Sequence, residues 1–248
     1  MSIERSEFTP GVNTVDSNEY KVPPRVVLLH GSGSTSEELW TPYIREGVEA
    51  MGIECVTPDL PSPAYRSDWV PYILEDVGLD ENTILAGHST GANTALRIAE
   101  IKKLEGLALV GVHLTALDIR EEEASGFFDT PWEWGKIDRN INWVDVFASP
   151  TDPYIPIHHP MTVCHELGQV AFSARYHEFE DEGHFTGKGY IDKLEFPELL
   201  AAIKDRIDQR SRIQEAHEYW SKVHPRSDMN LAVYTWNTRK RAERDLET

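Results

Sequence analysis

Gly87-His88-Ser89-Thr90-Gly91 sets a serine between two glycines, where the strand-forming run "NTILAG" gives way to a helical pattern rich in small residues, Ala92, Ala95 and Ala99. A strand-to-helix turn this tight strains the serine backbone and leaves no room for bulky neighbours, so G-x-S-x-G in this context lifts a hydroxyl clear of a sheet. It also aims the Thr90 N–H and the helix N-terminus at whatever the hydroxyl attacks. A serine hydroxyl is a weak nucleophile until a base takes its proton. Of the ten histidines, His184 in "EDEGHFTGKG" stands where the base belongs, in a glycine-flanked loop after the last expected strand. His113, at a strand end, reads as structural, and His177 falls within the sixth expected strand. Asp152 in "FASPTDPYIP" lies in the loop after the fifth strand, stiffened by Pro150, Pro153 and Pro156. An aspartate there accepts the second imidazole N–H and holds the tautomer. Asp118 and Asp129 belong to a less anchored insertion, and Asp145 lies inside a strand.

The second oxyanion donor is expected from the loop after the first strand, "HGSGS", as the backbone N–H of Ser32 with Gly33 beside it. Gly31-x-Gly33 is a weak dinucleotide signal, because Ser36 stands where a third glycine would be required. His158, His159, Cys164 and His165 cluster in sequence but match no zinc spacing, so no metal and no cofactor is expected.

These residues need a frame. "RVVLLH", Arg25 to His30, is a short apolar run suited to a buried parallel strand. A helix is expected over Thr41 to Met51, with Thr41 as N-cap and Pro42 at the first helical position. "IECV" reads as the second strand, and a helix capped by Ser67 or Asp68 follows to about Val77. "NTILAG", "GLALVGVH", "WVDVFAS" and "FSARYHEF" are strands three to six, and "FPELLAAIKDRI" is a helix with its apolar residues on one face. Strands alternating with helices give an α/β fold with a mostly parallel sheet of about six strands, whose ligands bind beyond the strand C-termini. Residues 1–24 read as an N-terminal arm, 25–204 as the catalytic domain with an insertion at about 114–142, and 205–248 as a helical extension. Insertions of that size are often lids.

The formal net charge is −18 over 248 residues, which argues against nucleic acid and anionic membranes as partners. No apolar run approaches the ~18 residues of a membrane span. "MSIERSEFTP" lacks the apolar core of a secretory signal, and two cysteines form no disulfide framework, so a cytoplasmic protein is expected. From Arg210 onward eight bases face six acids, leaving −20 for the first 209 residues. Tyr219, Trp220, Tyr234 and Trp236 in this polar tail suggest homo-oligomerisation through the C-terminal extension; the alternative is a tail folded over its own domain.

"LLHGSGS", "TILAGHSTGA", "ASGFFDTPWEWGKI", "FASPTDPYIP" and "DEGHF" together resemble the retinoblastoma-binding-protein-9-like serine hydrolases and their bacterial YdeN-type branch, within the α/β-hydrolases. The "ASGFF…PWEW" block is the most specific, and the resemblance runs from about Arg25 to about Ile203. It implies a compact hydrolase fold with a short cap, a Ser89–Asp152–His184 triad, no cofactor, and activity on a small-molecule carboxylic ester or amide. In that light Phe127, Phe128, Trp132 and Trp134 are candidates to line a substrate pocket. The namesake's Leu-x-Cys-x-Glu docking motif would fall on Val77-Gly78-Leu79-Asp80-Glu81, where leucine and cysteine are replaced, so retinoblastoma-type binding is not expected. The expected function is that of a serine hydrolase working through an acyl-enzyme on Ser89. Two alternatives stay open: a non-hydrolytic binding or scaffold protein, and use of the same site for cyclisation or acyl transfer.

Overall fold

The computed structural model describes residues 22–168, 174–188 and 191–223. The arm up to Lys21, and Tyr234 and Trp236 of the C-terminal extension, lie outside the described residues.

Six parallel strands form one sheet in the order β2-β1-β3-β4-β5-β6. They are β1 (Arg25–Leu29), β2 (Cys55–Val56), β3 (Thr83–His88), β4 (Gly106–Val110), β5 (Val144–Ala148) and β6 (Ala174–Glu178). Apolar residues alternate between two faces, as the two-residue side-chain period requires. Val26, Leu28, Ile84, Ala86, Ala108 and Val110 share one hydrophobic cluster with Ile44 and Val48 of α1 (Thr41–Glu49) and Phe196 and Leu199 at the start of α7 (Pro197–Val223). Val27, Leu29, Leu85, Leu107, Leu109, Val144 and Val146 share the other with α3 (Thr90–Ala99). Every residue of α3 is buried, which its small side chains permit. Cover on both faces explains why the central strands β1, β3 and β4 read as largely apolar runs, whereas β6 at the edge, "ARYHE", is polar and only half-buried.

Three local features differ from the sequence expectation. Trp40, not Thr41, occupies the N-cap of α1, with Pro42 in the first turn and no side-chain cap bond. The next helix, α2 (Arg66–Tyr72), starts ahead of Ser67 and Asp68 with Tyr65 as N-cap. It carries Pro71 inside and continues as a π-helical segment, Ile73–Gly78. The insertion after β4 contains α4 (Arg120–Ala124) and α5 (Trp134–Asn140). Beyond β5 come α6 (His158–Leu167) and, after β6, a small antiparallel hairpin of β7 (Gly187–Lys188) and β8 (Ile191–Asp192).

The chain divides into two compact units, and the larger, Pro23–Ile207, holds the sheet and both clusters. In the smaller, Arg210 Nη2 donates to the Val22 carbonyl at 3.1 Å.

Candidate active site

From Asn82 to Glu100 every residue is buried except Ser89, the one point where this run of strand, turn and helix reaches outward. Ser89 has φ 54° and ψ −120°, a conformation that L-residues avoid, at the junction of β3 and α3. The flanking glycines make it possible. A Cβ on Gly87 would overlap the Gly91 carbonyl, and one on Gly91 would overlap the carbonyls of Leu29 and His30. The Ser89 N–H donates to Val110 at 2.9 Å, and its carbonyl accepts the Ala92 N–H at 2.8 Å. Strain at the serine is therefore held in place by the sheet on one side and the helix on the other.

His184 lies in the loop between β6 and β7, and its Nδ1 donates to Asp152 Oδ2 at 2.7 Å. The pair is enclosed, with side-chain exposures of 11% and 3%. Asp152 Oδ1 accepts the N–H groups of Tyr154 at 2.9 Å and Ile155 at 3.0 Å, so the carboxylate is aimed by its own loop. Two hydroxyls join the Asp152 and His184 loops: Ser149 Oγ accepts the Glu182 N–H, and Thr151 Oγ1 accepts that of Gly183, each at 3.2 Å. With Nδ1 protonated toward Asp152, Nε2 keeps its lone pair. The imidazole comes to the elbow through Gly111, next to Val110: a Cβ there would sit 3.2 Å from His184 Cε1.

On the other side of Ser89, Gly31 packs close, where a Cβ would lie 3.3 Å from Ser89 Cβ. His30 fixes this loop. Its Nε2 accepts the Leu60 N–H at 2.9 Å, so Nδ1 carries the proton and donates to the Gly31 carbonyl at 2.8 Å. Ser32 follows on the exposed side and Thr90 begins α3, buried. Gly33 has φ 75° with open space where a Cβ would point.

Arg97 and Glu122 had gone unnoticed in the sequence. Arg97, fully buried on α3, donates to the carbonyls of Phe127, Thr130 and Pro131 and to Glu100, anchoring the insertion beside the elbow. The available signal was that it is the one charged side chain in "TGANTALRIA". Trp132 lies with its ring 3.7 Å from the Arg97 guanidinium, stacks on Trp134, and donates from Nε1 to Leu114. Phe127 is fully buried in the core against Trp69, while Phe128 meets the His113 ring at 5.2 Å. Glu122 of α4 accepts from the Thr90 hydroxyl at 3.2 Å and lies 3.4 Å from His113 Nε2. Nothing in "REEEA" distinguishes it from Glu121 or Glu123. His113 pairs with Asn93 in the core, and burial, with His158 and His113 nearby, lowers the His159 pKa to about 4. Among the described residues no cluster of three or more His, Cys, Asp or Glu is arranged to hold a metal ion.

Residues 26–234 match the model of a family described as the alpha/beta hydrolase family. The chain belongs to that family. Rat "Serine hydrolase RBBP9" is 33% identical over 190 residues, covering 75% of this chain and 96% of the rat protein. "Putative hydrolase YdeN" of Bacillus subtilis is 28% identical over 171 residues, covering 64% of this chain and 88% of that protein. The crystal structure of the B. subtilis ydeN gene product superposes with TM-score 0.66 at 23% identity, over 75% of this chain and 99% of that one. This is an RBBP9- and YdeN-like α/β-hydrolase, with a central parallel sheet of six strands. No described helix of this α/β-hydrolase is long and apolar enough to cross a membrane.

Proposed function

We propose that this α/β-hydrolase is a serine hydrolase that cleaves a small carboxylic ester or amide through an acyl-enzyme on Ser89. The observations that carry the reading are a strained elbow serine, the one residue of its strand–turn–helix run that is not buried, and a histidine whose Nδ1 is held by an enclosed aspartate. In the first step His184 Nε2 takes the Ser89 proton as Oγ attacks the carbonyl carbon. The N–H groups of Thr90 and Ser32 hold the resulting oxyanion, each such donor contributing about 10²–10³ in rate. The imidazolium returns its proton to the leaving alkoxide or amine, and the carbon–leaving-group bond breaks. Water, deprotonated by the same nitrogen, then attacks the acyl-enzyme and releases the acid. Asp152 keeps Nδ1 protonated throughout and stabilises the imidazolium.

In this reading the enzyme works in the cytoplasm on a small molecule, its net charge of −18 disfavouring phosphate-rich partners. The likeness to a rat protein named a serine hydrolase supports the reaction class. Intact-mass analysis after treatment with a fluorophosphonate tests it: one adduct on wild type and none on Ser89→Ala is the expected result. An unlabelled wild type, or a labelled Ser89→Ala, overturns it.

A further inference from the structure

Two buried N–H groups outside the triad converge on the main chain that carries His184. His88 Nε2 lies 2.8 Å from the His184 carbonyl; a carbonyl can only accept, so this nitrogen bears the proton. Trp40 Nε1 donates to the next carbonyl, that of Phe185, at 3.1 Å. The donors are 5% and 3% exposed and pack edge to face on each other, ring centroids 5.8 Å apart. The segment they grip would not hold its shape unaided. Gly183 has φ 54° and Phe185 has φ 59°, and for a bulky aromatic that region persists only where the surroundings impose it. Phe185 is fully buried and stacked on Phe196 at 5.3 Å, which completes the clamp.

Asp152 fixes the rotation of the imidazole but not the position of the backbone from which it hangs. Ser149 and Thr151 hold the Glu182 and Gly183 N–H groups just ahead of it, and the His184 peptide itself is held by the bond from His88, the residue immediately before Ser89. Nucleophile and anchor of the base are thus neighbours in the chain, and their separation is fixed across one peptide unit. We infer that His88 is a positioning residue, which through the His184 carbonyl sets the distance between His184 Nε2 and Ser89 Oγ, with Trp40 as its support. Near neutrality the ring is neutral, because burial, reinforced by the nearby His184, lowers the His88 pKa to about 3.

The inference rests on Ser89 and His184 acting as nucleophile and base, so its test includes a readout that needs no activity. His88→Phe keeps a ring against Trp40 but removes the donor; His88→Gln places an amide N–H near the position of Nε2. With the fluorophosphonate, His88→Phe is expected to lower the maximal inactivation rate about tenfold to hundredfold while the probe's apparent KI is unchanged, and His88→Gln to recover most of the loss. Equal rates for the two variants, or a His88→Phe rate equal to wild type, overturn the inference. Independently, ¹⁵N spectra of the wild type are expected to show His88 protonated on Nε2 throughout about pH 5 to 8. The ring signals of His184 are expected to shift in His88→Phe. A His88 without a proton on Nε2, or unmoved His184 signals, overturn it, even if the wild type proves unreactive and the hydrolase reading falls separately. Should His88→Phe fail to fold, the wild-type spectra and the His88→Gln rate decide: a His88→Gln rate more than about a hundredfold below wild type counts against the donor.

Discussion

Arg97→Ala is the perturbation that most directly tests how the cap is attached to the elbow helix. The guanidinium is fully buried and donates to Phe127 O at 2.9 and 2.6 Å, Thr130 O at 2.7 Å, Pro131 O at 3.3 Å and Glu100 Oε1 at 2.7 Å. Truncation leaves the Glu100 carboxylate, 5% exposed, with the Glu133 N–H at 3.0 Å in place of a countercharge. Breaking a buried pair from one side costs about 3–5 kcal/mol. The carbonyls of Thr130 and Pro131 belong to exposed residues and can turn to water, so only the buried Phe127 carbonyl adds to this. A loss of about 4 kcal/mol in a unit of this size corresponds to a fall in Tm of roughly 8–16 °C. Urea denaturation of wild type, Arg97→Ala, Arg97→Lys and the double variant Arg97→Ala/Glu100→Gln is the assay. Lysine cannot match the planar fork and is expected to recover less than half of the loss. Neutralising Glu100 is expected to recover at least about 1 kcal/mol, because the uncompensated charge is then gone. Below its transition Arg97→Ala should still label at Ser89, since Arg97 makes no contact with the Asp152–His184 pair. A destabilisation under about 1 kcal/mol, or no recovery in the double variant, would refute the reasoning.

Three further outcomes are expected. Asp152→Asn keeps an oxygen for the Tyr154 and Ile155 N–H groups but presents an amide to His184 Nδ1, so single-turnover acylation should slow by about 10³–10⁴ with the fold intact by circular dichroism. Gly111→Ala, at φ 58° and with its new Cβ 3.2 Å from His184 Cε1, should displace the imidazole and slow probe labelling about tenfold or more, read by intact mass over time. His88 contributes to the pH dependence of stability with a definite sign. Burial, with His184 nearby, lowers its folded pKa from the ordinary 6.5 to about 3, so the unfolded chain binds the proton more readily. Its contribution is therefore complete above about pH 6.5 and is lost as the pH falls toward about 3. Between pH 7 and pH 5 the wild type should lose about 2 kcal/mol more than His88→Gln in urea denaturation.

The sheet was legible because both of its faces are covered: a strand buried on two sides has to be an apolar run, and "RVVLL", "TILAG" and "GLALV" are. What escaped is where local rules were outweighed by packing. Thr41 is a good cap by type, yet the helix begins one residue earlier because Trp40 is committed to the core, 3% exposed and bonded to Phe185. The "HHPMTVCHEL" of α6 carries a proline in its first turn and the β-branched Thr162 and Val163, which weaken any helical period. The helix expected to about Val77 does run on past Pro71 to Gly78, but its last part is π-helical, a geometry that no residue type in "ILEDVG" announces.

The site divides along the same line. Gly87 and Gly91 could be read because backbone crowding alone dictates their type, whatever the rest of the chain does. His184 and Asp152 could be placed because each must follow a particular strand, a rule of chain order rather than of contact. His88, Trp40, His30 and Arg97 obey no such rule. Their partners lie 96 positions away for His88, 145 for Trp40 and 30 for both His30 and Arg97. Nothing local makes a histidine before the nucleophile different from any other small polar residue there. Its contact exists only once β3, β4 and the His184 loop are in register, so the candidate groups are legible in the sequence while the distances between them are written in the fold.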